Sequence, residues 1–391
     1  MPPLRLCAPL LLAFLLAPCP TLAQVLTKGG DPAYAVTDPA KAQAVGRTAA
    51  KAPPLAAGQT VRGEEIKDGT AVVVVENGEP GAGSDSDFCY RLPLSALRAL
   101  PGKTWPDRPG WLPAPAPAGT EGRDVVAFED GDWIAVLAHG QPARRLAKGR
   151  LPAVSPDAAT AAFSPAGEKG LRLAPLSGPG KGVLIPIKGG DPLEKCFSPD
   201  GKRLAWRVDH RIDLLDMADL KAPPRTVLRG LDNETTLQGF TSDGEGLVLQ
   251  DMRQVTWTDL SGATRRVAPI GEFTDDPWGS TADHYLPSPV APALLLVARD
   301  VNGTPAFSRW ANDAGAALYL FDGVSGTNYR LTPRSIAAVA PAWSPDGRRV
   351  YFAGLPDAPP NGPHRLYRVN ADGTGLVELG KGLSPSVGTR P

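Results

Sequence analysis

A short turn motif recurs along the C-terminal two thirds of this 391-residue chain, and its spacing restricts the fold more than any other feature. The segment Phe197–Trp206 (FSPDGKRLAW) returns as Trp343–Phe352 (WSPDGRRVYF), with weaker copies at Val154–Phe163 and Phe240–Leu249. The motif aspartates lie at positions 157, 200, 243 and 346, so the first two intervals are 43 residues each. The last interval, 103 residues, has room for two units, one of them with an insertion. Self-similarity at such a period predicts a repeat architecture.

The motif itself predicts a tight turn between two strands. Proline sets φ near −65° at the first central position, aspartate accepts hydrogen bonds from the amides of the turn, and glycine takes the positive φ that follows. The residues assigned to these turns are Ser155, Pro156, Asp157, Ser198, Pro199, Asp200, Gly201, Asp243, Gly244, Ser344, Pro345, Asp346 and Gly347. A β-rich run leaves each turn, and further strands follow, so each unit holds four antiparallel strands in about 40–45 residues, the period of a propeller blade.

We therefore predict an all-β fold, a β-propeller over residues 123–391, with six blades. The hairpin Val125–Val136 begins the first blade, and a degenerate motif copy near Val290 fills the long interval. Seven blades are the alternative, if residues 61–100 contribute one. Either the strand around Val125 or the tail after Leu379 is expected to close the ring, because closure hides unpaired strand edges.

Composition excludes several other classes of protein. The 43 glycines and 43 prolines exclude a helical bundle or coiled coil, because they would interrupt long helices every few turns. Basic and acidic residues balance at 41 each, which argues against nucleic acid or an anionic membrane as partner.

The first 23 residues have the pattern of a secretory signal peptide. Arg5 precedes the apolar run Leu10–Ala17, which is too short to span about 30 Å of hydrocarbon. We expect cleavage near Ala23 and a periplasmic or secreted protein without a membrane span. Lipid attachment at Cys19 is the alternative, although a proline precedes it where a small Gly or Ala is usual.

Three zones lie between the signal and the propeller. Residues 24–60 are rich in Ala, Lys and Pro and are predicted to be a flexible leader, with one short helix near Asp38–Lys51. Residues 61–100 are predicted to be a small ordered segment that holds a strand at Thr70–Val75 and ends in a short helix. Residues 101–122 form a proline-rich linker or an extended strap.

Two cysteines remain after removal of the signal, Cys89 and Cys196. In an oxidising compartment they are candidates for a disulfide, which would close a long loop and contribute about 4–5 kcal/mol in the chain-entropy model. Two separate buried thiols are the alternative.

The repeated residues also carry a family resemblance. The pattern Phe/Trp-Ser-Pro-Asp-Gly-Lys/Arg-Arg, followed by Leu366–Gly375 (LYRVNADGTG), resembles the repeat of TolB-type β-propellers over roughly residues 123–391. The resemblance implies a TolB-like propeller fold. The separate N-terminal α/β domain of TolB is not recognisable in residues 24–120.

No catalytic, cofactor-binding or metal-binding residue is predicted. The Gly-x-Ser-x-Gly elbow and the α/β domain of propeller-bearing serine hydrolases are both missing from the sequence. The four histidines, His139, His210, His284 and His364, are scattered over different units, although a propeller is able to bring distant residues together. Three tryptophans outside the repeated positions, Trp257, Trp278 and Trp310, are candidates for contact with a ligand or partner.

Two functions fit these observations. The favoured one is a non-enzymatic periplasmic binding or scaffold protein, a monomer that docks a protein or cell-envelope partner at its rim or channel mouth. The alternative is a carbohydrate-active propeller, a lyase or glycan-binding protein of the cell envelope. This second function requires His, Arg and carboxylate side chains that converge at the channel mouth.

Overall fold

The computed structural model describes residues 33–45, 49–67, 70–75, 88–99, 111–114, 116–117, 119–178, 182–273, 278–300, 316–332, 336–356 and 363–390. These residues form strands joined by turns and short 3₁₀ segments, and no α-helix occurs among them. The prediction of an all-β fold is therefore confirmed. Within the described ranges, no helix combines the length and apolar character needed to cross a bilayer.

The strands before residue 100 form one antiparallel sheet. Its members are β1 (Ala33–Val36), β2 (Gln43–Val45), β3 (Thr60–Lys67), β4 (Thr70–Val75), β5 (Phe88–Pro93) and β6 (Leu97–Ala99), in the order β2-β5-β4-β3-β1-β6. Alternate residues of β4, Ala71 and Val73, are buried against Tyr90 and Leu92 of β5 and their neighbours. The period of two in the valine run therefore produces a sheet with one apolar face.

Three sequence-based expectations do not hold in this sheet. Residues 24–60 were predicted to be a flexible leader, but in the described part of that range β1 pairs with both β3 and β6, and β2 pairs with β5. The helix expected near Asp38–Lys51 is replaced by two 3₁₀ turns, Pro39–Lys41 and Ala49–Lys51, that flank β2. The short helix predicted at the end of residues 61–100 is also replaced, by the 3₁₀ turn Leu94–Ala96 and the strand β6. These short Ala-rich segments are strands because they pair with strands distant in the sequence, and the local sequence pattern does not indicate such pairing.

The remaining strands form antiparallel units of four. Those of the first two units are β7 (Asp124–Asp130), β8 (Trp133–Ala138), β9 (Arg144–Val154), β10 (Thr160–Pro165), β11 (Leu171–Pro175) and β12 (Val183–Ile185). The first half of the long strand β9 pairs with β8 and its second half pairs with β10, so β9 belongs to both units.

The next four units have one sheet each. They consist of β13 (Lys195–Phe197), β14 (Arg203–Val208), β15 (Arg211–Asp216) and β16 (Arg225–Arg229); β17 (Thr236–Phe240), β18 (Gly246–Gln250), β19 (Gln254–Asp259) and β20 (Thr264–Pro269); β21 (His284–Pro287), β22 (Leu294–Asp300), β23 (Ala316–Asp322) and β24 (Thr327–Arg330); and β25 (Ile336–Trp343), β26 (Arg349–Pro356), β27 (Arg365–Asn370) and β28 (Val377–Lys381). The last strand, β29 (Leu383–Thr389), returns to pair with β7 of the first unit. This order is consistent with the six blades predicted from the repeat.

The core lies between the faces of neighbouring units. Leu296 and Leu318 of the fifth unit pack with Val350 and Phe352 of the sixth in one apolar cluster. Trp111 and Leu112, from the proline-rich segment, join the same cluster, and Leu112 is buried there. This part of the predicted linker is therefore a strap that packs on the propeller.

The motif turns share one hydrogen-bonding pattern. The Ser198 hydroxyl donates to Asp200 Oδ1 at 2.6 Å and accepts the Arg203 amide at 2.9 Å, while Asp200 Oδ1 accepts the Lys202 amide at 3.0 Å. Gly201 takes φ +71°. The same Ser/Thr-to-Asp hydrogen bond occurs in three other turns, at Ser155–Asp157, Thr241–Asp243 and Ser344–Asp346.

Neighbouring turns contact one another at one end of the propeller. A Cβ added to Gly201 would lie 3.5 Å from Pro156 Cδ of the preceding turn, and one added to Gly244 would lie 3.7 Å from Pro199 Cδ. We call this set of turns, around Asp157, Asp200, Asp243, Ser288 and Asp346, the turn ring. The Thr389 amide donates to the Pro156 carbonyl at 2.8 Å, which joins β29 to the ring.

A buried polar network fastens the ring closure. Asp124, the first residue of β7, accepts hydrogen bonds from Arg349 Nη1 at 3.1 Å, the Tyr351 hydroxyl at 2.6 Å and the Thr389 hydroxyl at 2.8 Å. Arg349 also donates to the Thr120 hydroxyl. The side chains of Asp124 and Arg349 are 2% and 3% exposed. The network therefore joins the first strand, the sixth unit and the C-terminal strand.

Candidate functional site

The innermost strands of all six units surround a channel with a cavity volume of about 240 Å³. These strands are β9, β13, β17, β21, β25 and β29. Each contributes the residues just before its turn, so the motif also sets which residues face the channel. Most of the lining residues are of apolar types, including the aromatic residues Phe197, Phe240 and Trp343, but polar atoms supply about half of the surface that faces the cavity. Small-molecule sites in proteins have volumes from about 300 Å³ upward, so this cavity lies slightly below that range.

Proline is the most frequent residue of the lining. Eight of its 21 residues are prolines, namely Pro152, Pro156, Pro199, Pro287, Pro289, Pro341, Pro345 and Pro385. Three of them, Pro152, Pro341 and Pro385, occupy the same repeat position, three residues before the motif serine or its equivalent. The residue before each has a left-handed backbone, with φ +54° at Leu151, +48° at Ala340 and +49° at Ser384.

These three positions are β-bulges. The pairing register shifts opposite Leu151–Pro152 in β9, within β25 at Ala340–Pro341, and within β29 at Ser384–Pro385. A bulge bends a strand and turns side chains toward a new direction, and bulges recur next to binding sites. Proline fits here because its missing amide hydrogen is not needed where the ladder is interrupted.

Two neighbouring units break this proline pattern with polar side chains. At the same repeat position the third unit has Lys195 and the fourth has Gln238, and both line the channel. Lys195 Nζ donates to the carbonyls of Pro192 at 2.9 Å and Leu193 at 3.0 Å. Among the described residues that line the channel, Lys195 is the only one with an ionisable basic or acidic group other than the thiol of Cys196.

Burial dominates the electrostatics of Lys195. Desolvation lowers the pKa of this amine from 10.5 to about 7, because removing it from water disfavours the charged form. Glu194, Glu129 and Asp191 act in the opposite direction, and Arg150 adds to the lowering. Arg150 also forms an ion pair with Asp191 at 2.6 Å.

Gln238 begins a buried amide network that joins the fourth and fifth units. Its Nε2 donates to the Thr236 hydroxyl at 2.7 Å, and its Oε1 accepts the Tyr285 amide at 2.8 Å. The Thr236 hydroxyl donates in turn to Gln250 Oε1 at 2.9 Å, and Gln250 Nε2 reaches the Ser280 carbonyl at 3.1 Å. Buried polar groups that are satisfied in this way fix a single arrangement of the chain.

The network leads to the end of the channel opposite the turn ring. We call this end the loop face; it is formed by the segments that enter the inner strands, 186–194, 230–235 and 278–283, and by the hairpin at 251–253. Trp278 lies here with 56% of its side chain exposed, and the Arg253 guanidinium lies 5.1 Å from the centre of its ring. The Gly279 amide donates to the Met252 carbonyl at 2.8 Å, which holds Trp278 on the hairpin.

Two charged side chains beside Lys195 keep unused polar atoms. Glu194 Oε2 and Arg207 Nε are buried and have no hydrogen-bond partner within the described part of the chain. Arg207 Nη1 lies 3.9 Å from Glu194 Oε1, a loose ion pair. Burial raises the pKa of Glu194 above its usual value, and the Arg207 charge acts against this shift.

The histidines do not form a site. His210 Nδ1 makes a 2.8 Å hydrogen bond with the Leu231 carbonyl, and burial lowers the pKa of His284 to about 4. Over the residues that the structure describes, no three His, Cys, Asp or Glu side chains cluster in a way suited to a metal ion.

The other predicted candidates have different surroundings. Cys196 is a free thiol that lines the channel, and burial raises its pKa to about 12. Cys196 is unpaired in this structure, which does not support the predicted bridge to Cys89, whose side chain lies outside the described residues. Trp257 is half-buried against Phe273, and Trp310 lies outside the described ranges.

A second cavity of about 510 Å³ lies beneath the strap. Trp111 and Pro113 cover it, and the fifth and sixth units supply its floor. Its two aspartates are engaged locally, since Asp322 accepts the Ser325 hydroxyl at 2.6 Å and Asp346 accepts the Ser344 hydroxyl at 2.6 Å. Both carboxylates are therefore occupied by hydrogen bonds within their own turns, and the cavity is a gap between the strap and the propeller.

Sequence reasoning missed the polar residues of the channel. Lys195, Gln238 and the Asp124 network were not singled out, because no local pattern marks them. A signal was present at one position, since aligning the repeats by their turns places Lys195 and Gln238 against the prolines of three other units.

Comparison with solved structures supports the fold. The crystal structure of TolB from Acinetobacter baumannii aligns with 69% of this chain and 67% of its own length, at 16% identity and a TM-score of 0.51. A TolB-type protein from Agrobacterium tumefaciens aligns with 69% of this chain and 99% of its own, at 16% identity and a TM-score of 0.45. No protein-family model matches the sequence, and no curated protein matches it significantly. The fold is therefore that of a TolB-like β-propeller, as the repeat predicted.

Proposed function

We propose that the chain is a non-enzymatic periplasmic binding or scaffold protein whose loop face docks a protein or cell-envelope partner. The observation that carries this proposal is the exposed Trp278, stacked against Arg253 and held on a hydrogen-bonded hairpin. Tryptophan and arginine are the residues most enriched at the energetic centres of protein interfaces.

The surroundings of this pair favour binding over catalysis. Gly279, the residue after Trp278, lies against Gln250, which is linked through Thr236 to Gln238 in the channel. The exposed aromatic side chain is therefore connected to the channel wall through a rigid polar network. A rigid anchor loses little conformational entropy when a partner binds.

The carbohydrate-active alternative receives no comparable support. It requires His, Arg and carboxylate side chains that converge at the channel mouth, as general acid–base chemistry on a sugar does. The described residues that line the channel include none of these three types; Arg253 and Glu194 lie on the loop face, and no histidine of the described chain is among the lining residues. We therefore retain the binding function as the proposal.

The test compares capture of envelope components by the mature protein and two variants. Trp278→Ala removes the proposed anchor, and Val324→Ala changes an apolar residue that is 84% exposed in the hairpin between β23 and β24. We expect mild cross-linking in envelope extract to give a discrete adduct with the wild type and with Val324→Ala, and at least tenfold less with Trp278→Ala. Recovery of the wild-type protein alone, or equal capture by all three, would contradict the proposal.

A further inference from the structure

The channel contains one amine in an otherwise uncharged wall. Lys195 replaces a proline found at the equivalent position in three other units, so the amine is a departure from the repeat and not part of the turn that builds the fold. The wall around it consists of proline, small aliphatic and aromatic residues, with the amide of Gln238 on the neighbouring strand.

The hydrogen bonds of Lys195 account for two donors only. Its Nζ donates to the Pro192 and Leu193 carbonyls, which would occupy both N–H groups of a neutral amine. A protonated ammonium has a third N–H, and the channel lining within the described ranges holds no carboxylate to accept it. A ligand that brings an anionic oxygen would supply the missing acceptor.

We propose that the channel binds a carboxylate attached to an apolar body, with the carboxylate on Lys195 and the apolar part against the prolines and aromatic rings. This site goes beyond partner docking and does not depend on Trp278. A charge-assisted hydrogen bond is stronger than a neutral one, and contact with the proline and aromatic side chains of the lining would remove the hydrocarbon part from water.

A carboxylate is favoured over a larger anion by the size and composition of the site. The cavity has a volume of about 240 Å³, and one amine supplies the only positive charge within its described lining. Phosphate groups carry more charge and are usually held by several cations or backbone amides.

Binding is expected to take up a proton. Without a ligand, the Lys195 amine has a pKa of about 7, and a bound carboxylate favours its protonated form. The groups that act on the amine are Glu194, Glu129, Asp191 and Arg150. Above pH 7 the affinity should therefore fall about tenfold per pH unit, because the amine must be protonated on binding.

The experiment measures binding of hexanoate to the mature protein by calorimetry, with hexanamide as the uncharged analogue of similar shape. We expect hexanoate to bind at pH 6.5 at least tenfold more tightly than hexanamide. At pH 8, titration in two buffers of different ionisation enthalpy should show uptake of about one proton per hexanoate bound. An apolar tripeptide with a free C-terminus, compared with its amide, tests whether a polypeptide end supplies the same chemistry.

A matched pair of lysine variants completes the test. Lys195→Met keeps the length of the side chain and should weaken hexanoate binding by roughly ten- to a hundredfold. Lys202→Met changes a lysine of the same unit that is 78% exposed, and should leave the affinity unchanged. Equal binding of the acid and the amide, an affinity independent of pH from 7 to 9, or full affinity in Lys195→Met would overturn the proposal. So would the lack of binding by both hexanoate and the free-acid tripeptide, whatever the outcome of partner capture.

Discussion

Ring closure is the point at which one side chain holds three parts of the propeller together, and Asp124→Ala tests it. Asp124 accepts hydrogen bonds from Arg349, Tyr351 and Thr389, which belong to the sixth unit and to the C-terminal strand. The substitution removes the only carboxylate that this network contains among its hydrogen-bonding partners. It leaves the Arg349 charge at a position where its side chain is 3% exposed.

The expected cost follows from burial. Removing one partner of a buried ion pair costs about 3–5 kcal/mol, because the remaining charge stays desolvated and loses its counter-ion. Tyr351→Phe removes a single hydrogen bond to the same carboxylate and should cost about 1 kcal/mol. The double variant Asp124→Ala/Arg349→Met removes the stranded charge and should therefore cost less than the sum of its two single changes.

The assay is the free energy of unfolding from urea titration, followed by tryptophan fluorescence. The control is Asp130→Ala, at the other end of the same strand, where the ion pair with Arg145 is 3.7 Å long and both side chains are about half exposed. An exposed pair of this kind contributes at most about 1 kcal/mol. Faster amide exchange in β29 should accompany Asp124→Ala and not Asp130→Ala. Equal costs for the two alanine variants would refute the closure argument.

Three further predictions concern the channel and the turn ring. The pKa of lysine is about 10.4 in the unfolded state and that of Lys195 is about 7 in the folded state, so the unfolded state binds more protons. The free energy of unfolding should therefore rise by about 1 kcal/mol per pH unit from pH 7.5 to 8.5. Urea titrations of Lys195→Met should show no such slope. Gly388→Ala should lower the free energy of unfolding by about 3 kcal/mol, since its Cβ would lie 2.3 Å from the Ser155 carbonyl oxygen. Gly131→Ala, at φ +59° with open space around the Cβ, should lower it by about 1 kcal/mol, and thermal unfolding compares the two variants. Cys196, whose pKa is raised to about 12, should react with a thiol reagent at pH 8 only after unfolding, and rapid reaction in the native protein would contradict its burial.

The turns could be predicted from the sequence because their chemistry is local. Ser198, Asp200 and Gly201 satisfy one another within five residues, so the residue types alone determine the conformation. The period of these turns then determines the number of strands between them. The fold class followed from these two facts, without knowledge of any contact between distant residues.

Pairing between distant segments could not be predicted in the same way. β1 and β2 have three or four residues each and are rich in alanine, and they exist as strands because β3, β5 and β6 offer edges to them. The Asp124 network joins residues more than 220 positions apart, so no spacing in the sequence marks it.

The channel lining contains a position at which the repeated units differ in residue type. The turn positions keep their residue types because each unit needs the same turn, so they carry no information about a ligand. Three residues earlier, proline occurs in three units, while Lys195 and Gln238 take the same place in two adjacent ones. The Lys195 amine donates to the Pro192 and Leu193 carbonyls, yet its lowered pKa costs stability in full below about pH 7, a cost that declines as the pH rises toward 10.4. The proposed ligand site therefore follows from the departure from the repeat at Lys195, and not from the repeated turns.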